Sequence, residues 1–158
     1  MAEMENLKQV SLFKDLNDRE MAILTQSMSE KKIPANTPIY VEKMIGEALY
    51  VVKSGSIMIM RDISGTGDRQ LATMKQGDFF GELALIDPAP RLVSAKTAED
   101  SVLLILEADN FRKLTEKEPA IANKVISSII KTFLNRVRMN AKHVNEYAAW
   151  FLKEGPGK

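Results

Sequence analysis

The apolar positions of this chain change period twice. Near the N-terminus Met21, Ile23, Leu24 and Met28 recur at roughly helical spacing. Asn17-Asp18-Arg19-Glu20 stands just ahead of them and reads as a helix start. The Asn17 side chain can accept from the backbone, and Glu20 sits where a capping box places its acid. From Lys32 to Glu107 the pattern becomes a series of short apolar or alternating runs: Pro38–Val41, Ala48–Lys53, Ser56–Arg61, Gln70–Met74, Leu92–Lys96 and Val102–Leu106. Turn residues punctuate them at Pro34-Ala35-Asn36, Gly46, Ser54-Gly55, Ser64 to Asp68, Gly77-Asp78 and Glu99-Asp100. Short strands at such intervals predict a barrel or a sandwich.

After Glu107 the helical period returns. Asp109–Thr115 reads as a short helix, and Glu118-Pro119 opens a long one, with proline in the first turn where its missing N–H costs little. No proline or glycine interrupts it before Gly155. Glu118 to Phe151 would span roughly 50 Å at 1.5 Å per residue, too long to lie wholly against a small barrel. The order of helix, strands and helices predicts a single α+β domain.

Composition narrows this picture only slightly. The chain has 158 residues, 45% apolar and 27% charged, which suits one soluble domain with a sizeable core. A net charge of +1 gives no strong field to recruit nucleic acid. The absence of cysteine excludes disulfides and thiolate chemistry and fits a cytoplasmic location. The acidic N-terminus does not read as a secretory signal, and no run of about 18 apolar residues predicts a membrane span.

One stretch breaks the strand pattern: Gly77-Asp78-Phe79-Phe80-Gly81-Glu82-Leu83-Ala84-Leu85-Ile86-Asp87-Pro88-Ala89-Pro90-Arg91. Glu82 to Ile86 is expected to form a single helical turn. Gly81 permits close approach of a backbone, and the free N–H groups that begin a helix attract an anion. The turn from Asp87 to Pro90 then delivers Arg91, a permanently charged fork suited to phosphate oxygens. Glu82 beside such a site is explained if the ligand carries hydroxyls as well. One ligand with both a sugar and a phosphate accounts for both charges. Singly, Arg91 is read as a surface arginine and Glu82 as a helix-capping acid; together, at this spacing, they read as a site.

Phe80-Gly81-Glu82-Leu83-Ala84-Leu85, followed by Pro90-Arg91, resembles the phosphate-binding cassette of cyclic nucleotide-binding domains. That family includes catabolite-activator-type bacterial regulators, regulatory subunits of cAMP-dependent protein kinase and nucleotide-gated channels. Gly46-Glu47-Ala48-Leu49-Tyr50, Ser54-Gly55-Ser56 and Gly77-Asp78 extend the resemblance, which covers roughly Val10 to Asn140. It implies that Glu82 binds the ribose 2′-OH and that Arg91 pairs with the exocyclic phosphate oxygens. It also implies that backbone N–H groups of Gly81, Glu82, Leu83 and Ala84 complete the cradle. Members that prefer cGMP often carry a hydroxyl residue directly after the arginine. Leu92 stands there, which favours cAMP, with cGMP the alternative ligand; Ser94 lies two positions late. Asn36 and Lys43 stand where the family usually has glycine. Asparagine tolerates a left-handed backbone; lysine does so less readily, which leaves the shape of that turn open.

The fold class expected is therefore α+β: an antiparallel β-barrel or jelly roll of short strands with N-terminal helices and a long C-terminal helix. One domain covers 1–158. Its N-terminal helices lie in 1–31, the barrel in 32–107 with the cassette at 77–98, and the C-terminal helices and tail in 108–158.

Two apolar stripes run along the long helix. Ile121, Val125, Ile129, Thr132 and Arg136 are expected to face the barrel, and Arg136 falls where the family's base-contacting residue is expected. It could stack on the purine or donate to it; the rival reading is a solvated arginine, and Arg138 and Asn140 are weaker candidates. The second stripe, Ile126, Ile130, Phe133, Val137, Asn140, Val144, Tyr147 and Phe151, alternates steps of four and three. It reads as the seam of a parallel homodimer with Asn140 setting the register. Trp150, Phe151 and Leu152 read as the end of that seam.

Enzyme readings fare poorly. His143 is the one histidine, so a metal-binding barrel lacks ligands, and no nucleophile elbow or phosphate loop appears. Gly65-Thr66-Gly67-Asp68 reads as a hairpin turn. No catalytic residue, metal or cofactor is expected. No compact basic recognition helix follows the long helix, so direct DNA binding is not expected. Two functions remain: a cyclic nucleotide sensor that signals through its helix to a protein partner, and a dimerisation module whose cassette is empty. A third origin, a fragment of a longer regulator, stays open.

Overall fold

A computed structural model describes residues 7–62, 65 and 67–154, with the side chains of 143, 144, 147, 148 and 150–154 left aside. Helix α1 spans Asp18–Gln26. Asn17 caps it reciprocally: its side chain accepts from the Glu20 N–H, and the Glu20 carboxylate accepts from the Asn17 N–H, each at 2.9 Å. The strands are β1 (Ser29–Ile33), β2 (Pro38–Tyr40), β3 (Ala48–Ser54), β4 (Ser56–Asp62), β5 (Asp68–Lys75), β6 (Phe79–Phe80), β7 (Ser94–Thr97) and β8 (Ser101–Glu107). A single 3-10 turn, Glu82–Leu85, interrupts them. Helix α2 (Ala108–Lys117) and helix α3 (Pro119–Glu154) follow.

The strands form two four-stranded antiparallel sheets, ordered β1-β8-β3-β6 and β2-β7-β4-β5. Strands β3 and β8 read as nearly continuous apolar runs because both of their faces are covered. Leu49 and Val51 of β3, and Leu104 and Leu106 of β8, pack with Phe13, Met21 and Leu24 and with Phe111, Ile121, Val125 and Ile129 of the helices. The intervening Val52 and Leu103 point the other way, into the space between the sheets, where they meet Tyr40, Ile57, Ile59, Phe80 and Ala95. The molecule is thus a jelly roll with its helices laid on one sheet. Strand β4, covered on one face, alternates as expected, with Ile57 and Ile59 buried.

Three local differences from the sequence reading have physical causes. Strand β1 begins at Ser29, inside the stretch assigned to N-terminal helices. It is a sheet edge with four of its five residues exposed, so no alternation betrays it. Strand β7 begins at Ser94, not at Leu92, which is 68% exposed. The two-residue strand β6 lies within the stretch read as departing from strands, paired to Tyr50 and Val51 of β3.

Asn36 (φ 59°) and Lys43 (φ 73°) both adopt the left-handed backbone that glycine normally supplies. Lys43 is held there from both sides: its N–H donates to the Arg91 carbonyl at 2.8 Å, and the Arg91 N–H donates to the Met44 carbonyl at 2.7 Å. Ile45 bridges Pro90 in the same ladder. The open question about that turn is therefore answered by its pairing with the cassette.

Helix α3 has 36 residues, about 54 Å at 1.5 Å each. Ile121, Ala122, Val125 and Ile129 of its first half are buried against the sheet and α1. Ion pairs bind the same half to the N-terminal region, Lys124 to Glu20 at 2.7 Å and Lys131 to Asp15 at 2.9 Å, and just ahead of the helix Glu118 pairs with Arg19 at 3.8 Å. Of the second stripe, Ile126 is half-buried, whereas Ile130, Phe133 and Val137 are exposed, as is Asn140. The side chains of Val144, Tyr147 and Phe151, with Trp150 and Leu152, lie outside the described residues.

Candidate functional site

The chain turns sharply as it leaves β6. Gly81 takes φ 72°, and the 3-10 turn starts directly behind it. Glycine is needed here twice over. The backbone is left-handed, and a Cβ would stand 2.9 Å from Nη1 of Arg91 and 3.1 Å from the Ala48 carbonyl oxygen. A 3-10 turn leaves the N–H groups of its first residues without partners inside the turn. The turn closes by Ile86 N–H donating to Leu83 O at 3.0 Å and Asp87 N–H donating to the same oxygen at 2.8 Å.

A cavity of about 490 Å³ opens against this turn. Gly81, Glu82, Leu83, Ala84, Arg91, Leu92 and Arg136 all line it, so the structure brings these seven expected ligand-binding residues to one place. Arg138 and Asn140 do not line it. Nor does Ser94, whose hydroxyl accepts from the Glu42 N–H at 2.9 Å. The remaining walls are Tyr40, Ile59, Met74, Phe80 and Val93, with Ile86, Asp87, Ala89 and Pro90 from the cassette. Apart from Phe80, which opens the cassette motif, sequence reasoning did not single out Tyr40, Ile59, Met74 or Val93. Alternation shows that Ile59 points inward, but not which inward positions border a cavity.

The three charged groups are held differently. Glu82 is 5% exposed, an unusual state for a carboxylate. Its Oε1 accepts from Nη1 of Arg136 at 2.7 Å, across 54 residues of sequence. Arg136 also donates through Nη2 to the Phe79 carbonyl at 3.2 Å. The first stripe of α3 therefore does run onto the sheet and end at the cavity. In this structure Arg136 meets a carboxylate there.

Arg91 is held by carbonyls. Nη1 donates to Gly81 O at 2.9 Å and Nη2 to Ala48 O at 2.8 Å. Its Cζ lies 4.1 Å from the centre of the Tyr40 ring. Its Nε is buried and has no hydrogen-bond partner among the described residues. Burial pushes the Tyr40 hydroxyl up to about 12 despite the opposing Arg91 charge, and raises Tyr50 by the same cause.

A larger groove of about 940 Å³ lies behind the cassette, between β3, β8 and α2. Of the seven site residues it includes only Ala84, and its ionisable lining is Glu47, Glu107, Asp109 and Glu116 against Arg112. That charge does not suit an anion, so the smaller cavity is the candidate site. Among the described residues no cluster of three His, Asp or Glu side chains could hold a metal. No helix among them is long and apolar enough to cross a membrane.

A cyclic AMP receptor protein of Thermus thermophilus is 30% identical over 125 residues, covering 79% of this chain and 58% of that protein. A cAMP-dependent protein kinase regulatory subunit of Blastocladiella emersonii is 31% identical over 103 residues, 65% of this chain and 26% of that one. The chain thus matches only part of each relative's length. The crystal structure of the Thermus thermophilus catabolite activator protein superposes with a TM-score of 0.77 at 28% identity, covering 87% of this chain and 63% of that one. The regulatory domain of Toxoplasma gondii PKA, crystallised with cAMP, gives 0.63 at 35% identity, over 69% of this chain and 41% of that one. The profile of the cyclic nucleotide-binding domain matches residues 30–118, more than half of the sequence and all of the cassette, and the chain belongs to the cyclic nucleotide-binding domain family.

Proposed function

We propose that this chain is a non-catalytic cyclic nucleotide sensor that binds cAMP and relays occupancy through α3 to a protein partner. The observation that carries the reading is that Arg91 and the buried Glu82 border one cavity, from opposite ends of the cassette. Arg91 takes the exocyclic phosphate oxygens, with backbone N–H groups of the 3-10 turn completing the anion site. Glu82 accepts from the ribose 2′-OH. The apolar side chains of Ile59, Met74 and Val93 offer a surface for the base, and Leu92 supplies no hydroxyl for a guanine. The relatives named for cyclic AMP support the same ligand.

Arg136 is the relay. A ligand hydroxyl that donates to Glu82 competes with, or adds to, the Arg136 bond and so biases the placement of α3. Ile126, Ile130, Phe133, Val137, Asn140 and Val144 form the homodimer seam, and the exposure of Ile130, Phe133 and Val137 supports that use.

Calorimetric titration with cAMP and cGMP tests the proposal. Heat with cAMP, weaker heat with cGMP, and a loss of about 2–4 kcal/mol in Arg91→Ala are expected, because charge-assisted bonds are removed. No heat with either nucleotide favours the second reading, a dimerisation module whose own Arg136 fills the partner role at Glu82.

A further inference from the structure

Arg91 is a half-buried cation whose contacts are two carbonyl oxygens, the Tyr50 side chain, which shares a hydrogen bond with it and has its ring centre 5.9 Å from Cζ, and, nearest of the rings, the face of Tyr40 at 4.1 Å. Among the described ion pairs, no carboxylate joins it. Two hydrogen bonds fix the rotation of a guanidinium in its own plane, but they do not keep its face from tipping. That is what a flat neighbour does, and a cation over an aromatic ring gains further from the ring's negative face. Resting on the nucleotide reading above, we infer that Tyr40 is a positioning residue for ligand phosphate: its ring is the platform that holds the Arg91 guanidinium in place.

Tyr40 is itself well fixed. It lies on β2, is 9% exposed, and its ring sits 5.8 Å from that of Tyr50 and 6.1 Å from that of Phe80, while Tyr50 and Phe80 stack at 5.2 Å. The ring therefore cannot turn away from Arg91 without moving two neighbours. A phenol titrating near 12 stays neutral at physiological pH, so the attraction comes from the ring face and a phenylalanine would serve as well.

Gly46 makes the room. A Cβ there would stand 3.0 Å from both Cζ and Nε of Arg91, and 3.0 Å from the Ala84 Cβ. Arg91 is thus confined by the Tyr40 ring, with Tyr50 farther off, by two glycines that permit its approach, and by two carbonyls. Its Nε–H is buried and has no hydrogen-bond partner among the described residues. A half-buried cation that no carboxylate joins among the described ion pairs has a counter-charge to gain, and a ligand phosphate would supply one.

The test joins a probe of Arg91 in the free protein with nucleotide titration. In the wild type, the Arg91 Nε–Hε resonance should be shifted upfield by the Tyr40 ring. Tyr40→Phe should keep that shift and hold cAMP affinity within about twofold of wild type; Tyr40→Leu should lose most of the shift, leaving only what the more distant Tyr50 ring gives, and weaken cAMP binding about tenfold. In an Arg91→Ala background, Tyr40→Leu should weaken binding no further, because its effect acts through the arginine. An unshifted Arg91 resonance in the wild type, which needs no variant to fold, overturns the inference even if cAMP binds. So does an equal loss from Tyr40→Leu with and without Arg91. A shifted resonance in a wild type that fails to bind cAMP overturns instead the nucleotide reading, and the phosphate role with it.

Discussion

Replacing Arg136 with alanine isolates the bond that joins the long helix to the cassette. Its partner Glu82 has a side chain only 7% exposed, and the Oε1–Nη1 distance is 2.7 Å. Breaking a fully buried pair from one side costs about 3–5 kcal/mol, because a charge is left uncompensated. Exposed pairs contribute about 0–1 kcal/mol. The Arg136 side chain is 42% exposed, so water reaches this pair from the helix side and the expected loss lies between those limits, at about 2 kcal/mol. For a chain of this size that lowers the melting temperature by about 4–8 °C. Urea unfolding followed by circular dichroism measures it. The decisive variant is Arg136→Ala with Glu82→Gln. If the cost comes from an orphaned carboxylate, neutralising Glu82 should return part of the stability lost in Arg136→Ala, and the two changes should be non-additive. Arg136→Ala within about 0.5 kcal/mol of wild type, or strict additivity with Glu82→Gln, would refute the reasoning.

Other consequences can be checked on the same material. Lys43→Gly should stabilise the fold by about 0.5–1 kcal/mol: a left-handed backbone costs a non-glycine residue about 1–2 kcal/mol, and glycine's greater unfolded freedom returns part of that. A rise in melting temperature tests it. On the proposed seam, the wild type should be a dimer in light scattering and Phe133→Glu or Val137→Glu a monomer with cassette binding intact, since both side chains are exposed on α3. Glu20 is held below its ordinary value of 4.5, first by its hydrogen bond from Lys124 and then by the Asn17 N–H. Its contribution is complete above that value and lost as pH falls through the lower folded one. The stability gap between wild type and Glu20→Gln should therefore shrink in melts taken below about pH 4.5.

Glu82 and Arg91 were legible because the chemistry of the cassette is local. Fewer than a dozen residues carry the tight glycine, the helical turn and the returning arginine. The capping box of α1 and the proline start of α3 were legible for the same reason. Strand β1 was not, since an exposed edge has no apolar face to display. Tyr40 was not, since an aromatic residue in a short strand looks like any other core position until its neighbour across the cavity is known.

From the sequence alone came the family resemblance, the order of helix, strands and helices, the cassette and the two stripes of α3, all written in spacing over a few turns or strands. Tertiary structure alone decided that Asn36 and Lys43 both turn left-handed, that Arg91 lies on Tyr40, and that Arg136 reaches Glu82. The reason is one of range. Period and capping depend on neighbours in the chain, whereas the partner of a buried charge depends on which distant backbone the packing brings against it.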